Sequence, residues 1–321
     1  AVGWQNNHSY KVDIYAVDMA GNSAGLPGTP LYVKYFRFDN DPPTISISSP
    51  AVNGGAYGLN GVNDPNGNSA DATSGVGLVE YRLEYSPVSA GLTKWTKGVT
   101  ATCSGGAKGP NAWCDQTATI WNVAATTTTI PYQVWHASDV TNAALWINGE
   151  DYALIVRVMD NAGNYSTAYS TITFKYDTFK PDATVSFPVG NAFFSGQPSI
   201  NGIVQDKPLT SRQSGVDLMS IGIQRLSDNF WYNGAAGWQA VRSDPAQAVT
   251  QGSPGEATAW NHANFGLFWA GITGSSEAFK VYAWAQDKVD QPNAGFRNIE
   301  SSYTLVDRNF FYDVMSPTSA V

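Results

Sequence analysis

Tyr152-Ala153-Leu154-Ile155-Val156-Arg157-Val158-Met159-Asp160-Asn161-Ala162-Gly163-Asn164 is the stretch that decides the fold. Large apolar residues at 152, 154, 156 and 158 alternate with Ala153, Ile155 and Arg157. That period of two turns one face of a β-strand into a core and leaves the other outside. Asp160 to Asn164 gathers residues that tolerate left-handed backbone and bond their own turn, so the chain is predicted to reverse there. Ile172 to Tyr176 returns as the partner strand of a hairpin. Asp177 and Pro181 bracket a connector in which Pro, lacking an N–H, ends ladder pairing, and Ala183 to Phe187 opens the next strand.

The pattern recurs along the chain. At a shift of 142, Trp4, Tyr10, Val12, Ile14, Ala16, Asp18, Ala20, Gly21 and Asn22 fall on Trp146, Tyr152, Leu154, Val156, Val158, Asp160, Ala162, Gly163 and Asn164. At 138, Asp39, Pro43, Ile47 and Pro50 fall on Asp177, Pro181, Val185 and Pro188, and Ser74-Gly75-Val76 returns as Ser214-Gly215-Val216. At 127, Phe279, Val281, Ala283, Ala285 and Asp287 repeat Tyr152, Leu154, Val156, Val158 and Asp160, with Asp307 read as the counterpart of Asp177. A period this long is a domain. The expected division is 1–39 as the C-terminal part of a unit, 40–177 and 178–307 as complete units, and 308–321 as the first strand of a following unit. Residues 1–39 hold too little core to fold alone. The sequence is therefore read either as a window on a longer array or as a chain completed by strand addition from an identical subunit.

Composition narrows the function. The 321 residues include 11 Trp, 16 Tyr and 14 Phe, but only 14% are charged, against about 25% in ordinary soluble domains. A net charge of −8 without a Lys/Arg cluster excludes a nucleic-acid surface, whose affinity comes from displaced counterions. No run of 18 apolar residues is present to span a bilayer. Many short alternating segments between Gly/Pro/Asn turns predict an all-β fold of tandem Ig-like antiparallel β-sandwich modules. Helical turns are expected at most at Val140 to Trp146 and Pro245 to Thr250.

With Ile200-Asn201-Gly202-Ile203-Val204-Gln205-Asp206, the Ser-Gly-Val segments, the Asp-x-Ala-Gly-Asn turns at Asp18 and Asp160, and the Asp-x-x-x-Pro connectors, the chain resembles bacterial immunoglobulin-like (Big-type) domains. These stand in tandem in large cell-surface proteins. The resemblance covers essentially the whole chain and implies stalks, adhesins, fibres, or spacers in secreted enzymes. The last unit departs from it, with Asp287-Lys288-Val289-Asp290-Gln291-Pro292-Asn293 as its turn and no Pro four residues after Asp307.

Catalysis finds no foothold in the sequence. There is no Gly-x-Ser-x-Gly elbow, His-Glu-x-x-His or phosphate-cradling Gly loop, and the repeated aspartates Asp18/Asp160 and Asp39/Asp177 fall where turns recur. Cys103 and Cys114, the only cysteines, are spaced to close a small disulfide ring, which fits an oxidising compartment. The three histidines, His8, His136 and His262, lack ligand spacing. Calcium has two candidate oxygen-rich stretches, Asp39-Asn40-Asp41 and the loop carrying Asp64, Asn66, Asn68 and Asp71. Trp4 and Trp146 read as core anchors. Tyr15, Tyr282 and Trp284 read as outward aromatics for contact with a neighbouring module or subunit, with surface glycans as the alternative ligand. A Lys–Asn crosslink suits such sandwiches chemically, but no triad is singled out. The expectation is a non-enzymatic, extracellular repeat region of a surface fibre, stalk or filament. The alternatives are a carbohydrate-binding or spacer region of a secreted hydrolase and an Ig-like phage decoration module.

Overall fold

The computed structural model describes residues 3–25, 29–62, 64–86, 94–96, 113–115, 121–127, 132–140, 146–196, 198–207, 212–233, 237–242, 246–247, 257–262, 276–289 and 308–319. The fold is all-β, built as two β-sandwich units preceded by a hairpin.

In the first unit the strand Glu150–Asp160 lies between Ser170–Tyr176 and Val76–Ser86, antiparallel to both. Gly55–Tyr57 adds to this sheet in parallel alongside Ser170–Tyr176. Opposite stands a four-stranded sheet containing Thr44–Ser49, Asn66–Ala70, Ala125–Thr126 and Tyr132–His136. Tyr81, Leu83, Leu154 and Phe174 from the larger sheet meet Trp135 from the smaller one, with Ile45 and Ile47 packed alongside. The second unit repeats the plan. Glu277–Asp287 lies between Val216–Arg225 and Arg308–Tyr312, and Ala192–Phe194 runs parallel to the latter. Asp182–Phe187, Ile200–Gln205 and Thr258–His262 form the facing sheet. Phe279, Ile221 and Phe310 pack against Val185, Ile200 and Trp260 in its core. The two central strands bury the same alternate positions, as their period of two demands.

Two glycines let each small sheet close on its tryptophan. Trp135 Nε1 donates to the Ser46 carbonyl at 3.0 Å and Trp260 Nε1 to the Thr184 carbonyl at 3.1 Å. The strand between carries Gly67 or Gly202, where an added Cβ would lie 2.0 Å or 1.7 Å from that same carbonyl oxygen. Only a residue without Cβ fits there.

Three expectations change. Arg308–Tyr312 is the last strand of the second unit and not the first strand of another, because Phe310 stands opposite Phe279 as Phe174 stands opposite Tyr152. The connector aspartate is accordingly Asp313, not Asp307. Its N–H donates to the Phe194 carbonyl at 2.8 Å, as that of Asp177 donates to the Tyr57 carbonyl at 2.9 Å. Asp313-Val314-Met315-Ser316-Pro317 thus keeps the Asp-x-x-x-Pro pattern. A gapless comparison misses it because the segment 288–307 is longer than its counterpart 161–169. Trp4 also differs from Trp146. Its ring packs edge-on to Tyr10 and Phe36 at 4.7 and 5.2 Å, as Trp146 does to Tyr152 and Phe174 at 5.0 and 5.8 Å. Yet Trp4 is 48% exposed and Trp146 only 6%. Among the described residues, the hairpin of His8–Ile14 and Tyr32–Phe38 forms a two-stranded sheet by itself, with no second sheet over that face. Finally, among the described residues Ser138–Val140 makes a helical turn beside the first expected position, Leu59–Val62 makes one where none is expected, and Ala246–Gln247 at the second is a strand.

Candidate functional site

Connector and strand ends bring three buried aspartates together at each joint. Asp39 follows Tyr32–Phe38, Asp71 follows Asn66–Ala70, and Asp160 ends Glu150–Asp160. Asp177, Asp206 and Asp287 hold the corresponding places one unit later. Within each trio, one carboxylate oxygen of every member lies within 4.8 Å of the others.

The backbone of the joint is the same in both places. Asp39 Oδ1 accepts from the N–H of Asp41 at 2.9 Å and Oδ2 from Ser74 at 2.9 Å. Asp177 Oδ1 accepts from Phe179 at 3.1 Å and Oδ2 from Ser214 at 2.8 Å. Asn6 Oδ1 accepts from the N–H of Asn40 and Asn148 Oδ1 from that of Thr178, each at 2.7 Å. A cation bridges each joint as well: Arg37 donates to the Thr73 carbonyl at 3.2 Å and Lys175 to the Gln213 carbonyl at 3.5 Å. At the second joint Arg212 adds ion pairs to Glu150 and, at 3.6 Å, to Asp151. Gly75 and Gly215, at φ +82° and +85°, supply the left-handed turn that aims the local N–H groups at Asp71 and Asp206.

The carboxylates themselves are satisfied differently. Asp71 Oδ1 accepts from the N–H groups of Thr73, Ser74 and Gly75 at 3.1, 2.8 and 2.7 Å. Both oxygens of Asp160 accept from Asn164, Oδ1 from its backbone N–H and Oδ2 from its side chain, each at 2.8 Å. In the second trio Asp206 Oδ2 accepts from Gly215 N–H at 2.6 Å and Ser214 Oγ–H at 3.1 Å. Asp206 Oδ1, fully buried, has no hydrogen-bond partner. Burial raises the Asp177 carboxyl above its ordinary range. Burial, with the charge of Asp177 beside it, pushes Asp206 up to about 6. Gln213, also fully buried, sets one terminal atom of its amide 3.0 and 3.1 Å from the two Asp177 oxygens.

Of the calcium stretches expected from sequence, Asp39 joins a trio, while Asn40 and Asp41 are exposed. The set Asp64, Asn66, Asn68 and Asp71 does not assemble, because Asn66–Ala70 is a strand and its residues alternate between faces. Asp64 pairs with His136 Nδ1 at 3.0 Å, Asn68 donates to Ser48 Oγ at 3.3 Å, and only Asp71 reaches the trio. Asp160, Asp177, Asp206 and Asp287 are not among the ligand candidates drawn from the sequence, which gives Asp160 and Asp177 as turn residues. The repeated Asn-Gly-x-x-x-Asp of Asn66–Asp71 and Asn201–Asp206 was the signal that pairs Asp71 with Asp206.

Among the outward aromatics, Tyr15 is exposed but Tyr282 is buried. The Trp231 ring packs tilted against Tyr282 at 5.4 Å, the Tyr282 hydroxyl donates to Gln224 Oε1 at 3.2 Å, and the Arg242 guanidinium sits 4.5 Å from the Trp284 ring centre. The first unit fills its outer face with Arg157, 4.2 Å from the Trp121 ring centre and 4.8 Å from that of Tyr165. Cys114 lies on the strand Trp113–Asp115, and Cys103 lies outside the described residues, as does their pairing. No helix among the described residues is long and apolar enough to cross a membrane.

No family model matches the chain, and no curated protein does. Among solved structures it is similar to the fibronectin(III)-like modules of Clostridium thermocellum CbhA, at 12% identity and TM-score 0.31 over 84% of this chain and 94% of that one. A 1.5-MDa bacterial ice-binding adhesin matches at 12% identity and TM-score 0.27, over 94% and 73%. The adhesin InvE of Yersinia pseudotuberculosis matches at 13% and 0.25, over 84% and 58%.

Proposed function

We propose that the chain is a non-catalytic structural segment of an extracellular fibre, stalk or filament, in which Ig-like sandwiches follow one another through short, stiff joints. The observation that supports this most is the joint itself. Asp39 with Ser74 and Asn6 with Asn40 are repeated one unit later by Asp177 with Ser214 and Asn148 with Thr178. A hydrogen-bond set reproduced between successive units limits bending at every joint in the same way, which suits a linear array of neighbours. The partners in this reading are neighbouring units or identical subunits. Its outer sheet faces are filled by Arg–aromatic stacks, which favours packing over a flat platform for sugar rings.

Small-angle X-ray scattering of the chain tests the stiffness: one narrow, extended distance distribution is expected, broadening in Asp177→Ala. Units that tumble independently in the unaltered chain would sink the reading. Antibodies against the chain should label intact source cells, and labelling only after permeabilisation would remove the extracellular assignment.

A further inference from the structure

We propose that Asp177, Asp206 and Asp287 bind one divalent cation of the calcium class at the joint between the two sandwiches. All three are 0% exposed, and one oxygen from each lies within 4.8 Å of the others. Buried carboxylates this close cannot all be ionised without a compensating positive charge. Among the described residues the nearby basic side chains bond other groups: Lys207 pairs with Asp182 at 2.5 Å, Arg212 with Glu150 and Asp151, and Lys175, whose charge also acts on Asp177, donates to the Gln213 carbonyl. Asp206 Oδ1 gives the second, independent sign. It is a sealed-off acceptor within the trio that no hydrogen bond satisfies, although buried polar atoms nearly always find a partner.

The donor set identifies the ion. It holds oxygens only, without the His or Cys that zinc and copper prefer. Each carboxylate supplies one oxygen, the partnerless Asp206 Oδ1 among the oxygens on hand, and the Gln213 amide, 3.0 and 3.1 Å from the Asp177 oxygens, adds another when its carbonyl turns inward, with water to complete the shell. Without an ion its nitrogen faces Asp177 and donates to both oxygens. Six to eight flexible oxygens suit calcium, whereas magnesium holds a tight octahedron and keeps its waters. The first trio carries no such proposal, because no oxygen of Asp39, Asp71 or Asp160 is buried without a hydrogen-bond partner. The inference does not depend on the fibre reading.

Calorimetric titration of the EDTA-stripped, dialysed chain with CaCl2, with MgCl2 in parallel, tests it. Calcium should bind with Kd on the order of 10⁻⁴ to 10⁻³ M and raise the melting temperature. Asp206→Asn, isosteric and one charge fewer, should stay folded by circular dichroism yet bind calcium at least about tenfold more weakly. Asp71→Asn should titrate as the unaltered chain does. No heat and no melting shift up to about 10 mM calcium overturns the proposal. So does binding that survives both Asp206→Asn and Asp287→Asn, or that only Asp71→Asn removes. Should Asp206→Asn fail to fold, Gln213→Leu, which changes no charge, carries the test. About fivefold weaker calcium binding is then expected, and unchanged binding overturns the site.

Discussion

The two joints share a backbone and differ in how they treat charge. At the first, Asp160 is closed off by Asn164, whose side chain also donates to the Asp39 carbonyl at 3.2 Å. At the second, the sequence places Gln291 four residues after Asp287, and Gln213 stands where the first joint has Thr73. The first trio is therefore a knot of turn caps in which no buried carboxylate oxygen lacks a partner. The second keeps the same hydrogen bonds to Ser214 and Gly215 but leaves an oxygen of Asp206 unserved. A recurring scaffold thus does not carry recurring chemistry: the strands fix where three carboxylates meet, and a few turn residues decide what they meet.

The comparison would break first at the glycines, where the units should respond alike. Gly67→Ala and Gly202→Ala each push a Cβ against the carbonyl oxygen that receives the tryptophan N–H, at 2.0 and 1.7 Å before relaxation. Each should cost about 3 kcal/mol or more, visible as loss of one of two thermal transitions while the other survives. A substitution that melts both units together would show that the sandwiches are one cooperative body and that comparing them separately is wrong.

The electrostatic difference should show in pH. With calcium chelated, folding holds the Asp206 proton more tightly than the unfolded chain does, since its carboxyl sits at about 6 against an ordinary 3.8. Its contribution is most favourable at acidic pH and is lost as pH rises from about 4 through 6, by on the order of 2–3 kcal/mol. Asp177, raised in the same direction by burial, adds to the trend; Lys175, the cation whose charge acts on Asp177, opposes it. In EDTA the second sandwich should melt higher at about pH 5 than at about pH 7.5. A second transition that rises with pH instead would remove the claim that this trio is under charge strain.

Substituting one carboxylate in each trio should then give opposite signs. Asp71→Asn weakens three charge-assisted bonds from residues 73–75 and should destabilise by about 1–2 kcal/mol. Asp206→Asn in EDTA relieves repulsion with Asp177 and should be neutral or stabilising by about 1 kcal/mol. Equal losses at both sites, measured by denaturant unfolding, would make the two trios the same device.

Some of this was legible in the sequence, for physical reasons that differ residue by residue. The alternation of Tyr152 to Val158 and the turn at Asp160 specify a strand and its reversal locally, and the pairing follows that register. Convergence of Asp177, Asp206 and Asp287 is not local, since each ends a different element, and it could be found only by superposing the repeats. Arg308–Tyr312 was misplaced because loop length changes freely while strand register does not. Tyr282 stands outside its own core cluster, as the alternation predicts, yet it is buried and is no open contact surface. Period two says nothing about Trp231 and Arg242, which fold over that outer face and bury it.

The smallest effect sharpens the comparison between the N-terminal hairpin and the first sandwich. Tyr152 Oη accepts the N–H of Ile147 at 2.7 Å, and its counterpart Tyr10 accepts that of Gln5 at 2.6 Å. The two bonds are geometrically one feature at two depths, with Tyr152 2% exposed and Gln5 at the surface. Tyr152→Phe leaves the Ile147 N–H without its acceptor away from water and should cost about 1 kcal/mol, whereas at Tyr10→Phe water replaces the hydroxyl at a cost of roughly 0–0.5 kcal/mol. Amide hydrogen exchange at Ile147 and Gln5 reads both directly. Protection should fall about fivefold at Ile147 and change little at Gln5. Equal loss at the two amides would mean that in solution the Trp4, Tyr10 and Phe36 face is as dry as the sandwich core, and so is covered by something that a single copy of residues 3–38 does not supply.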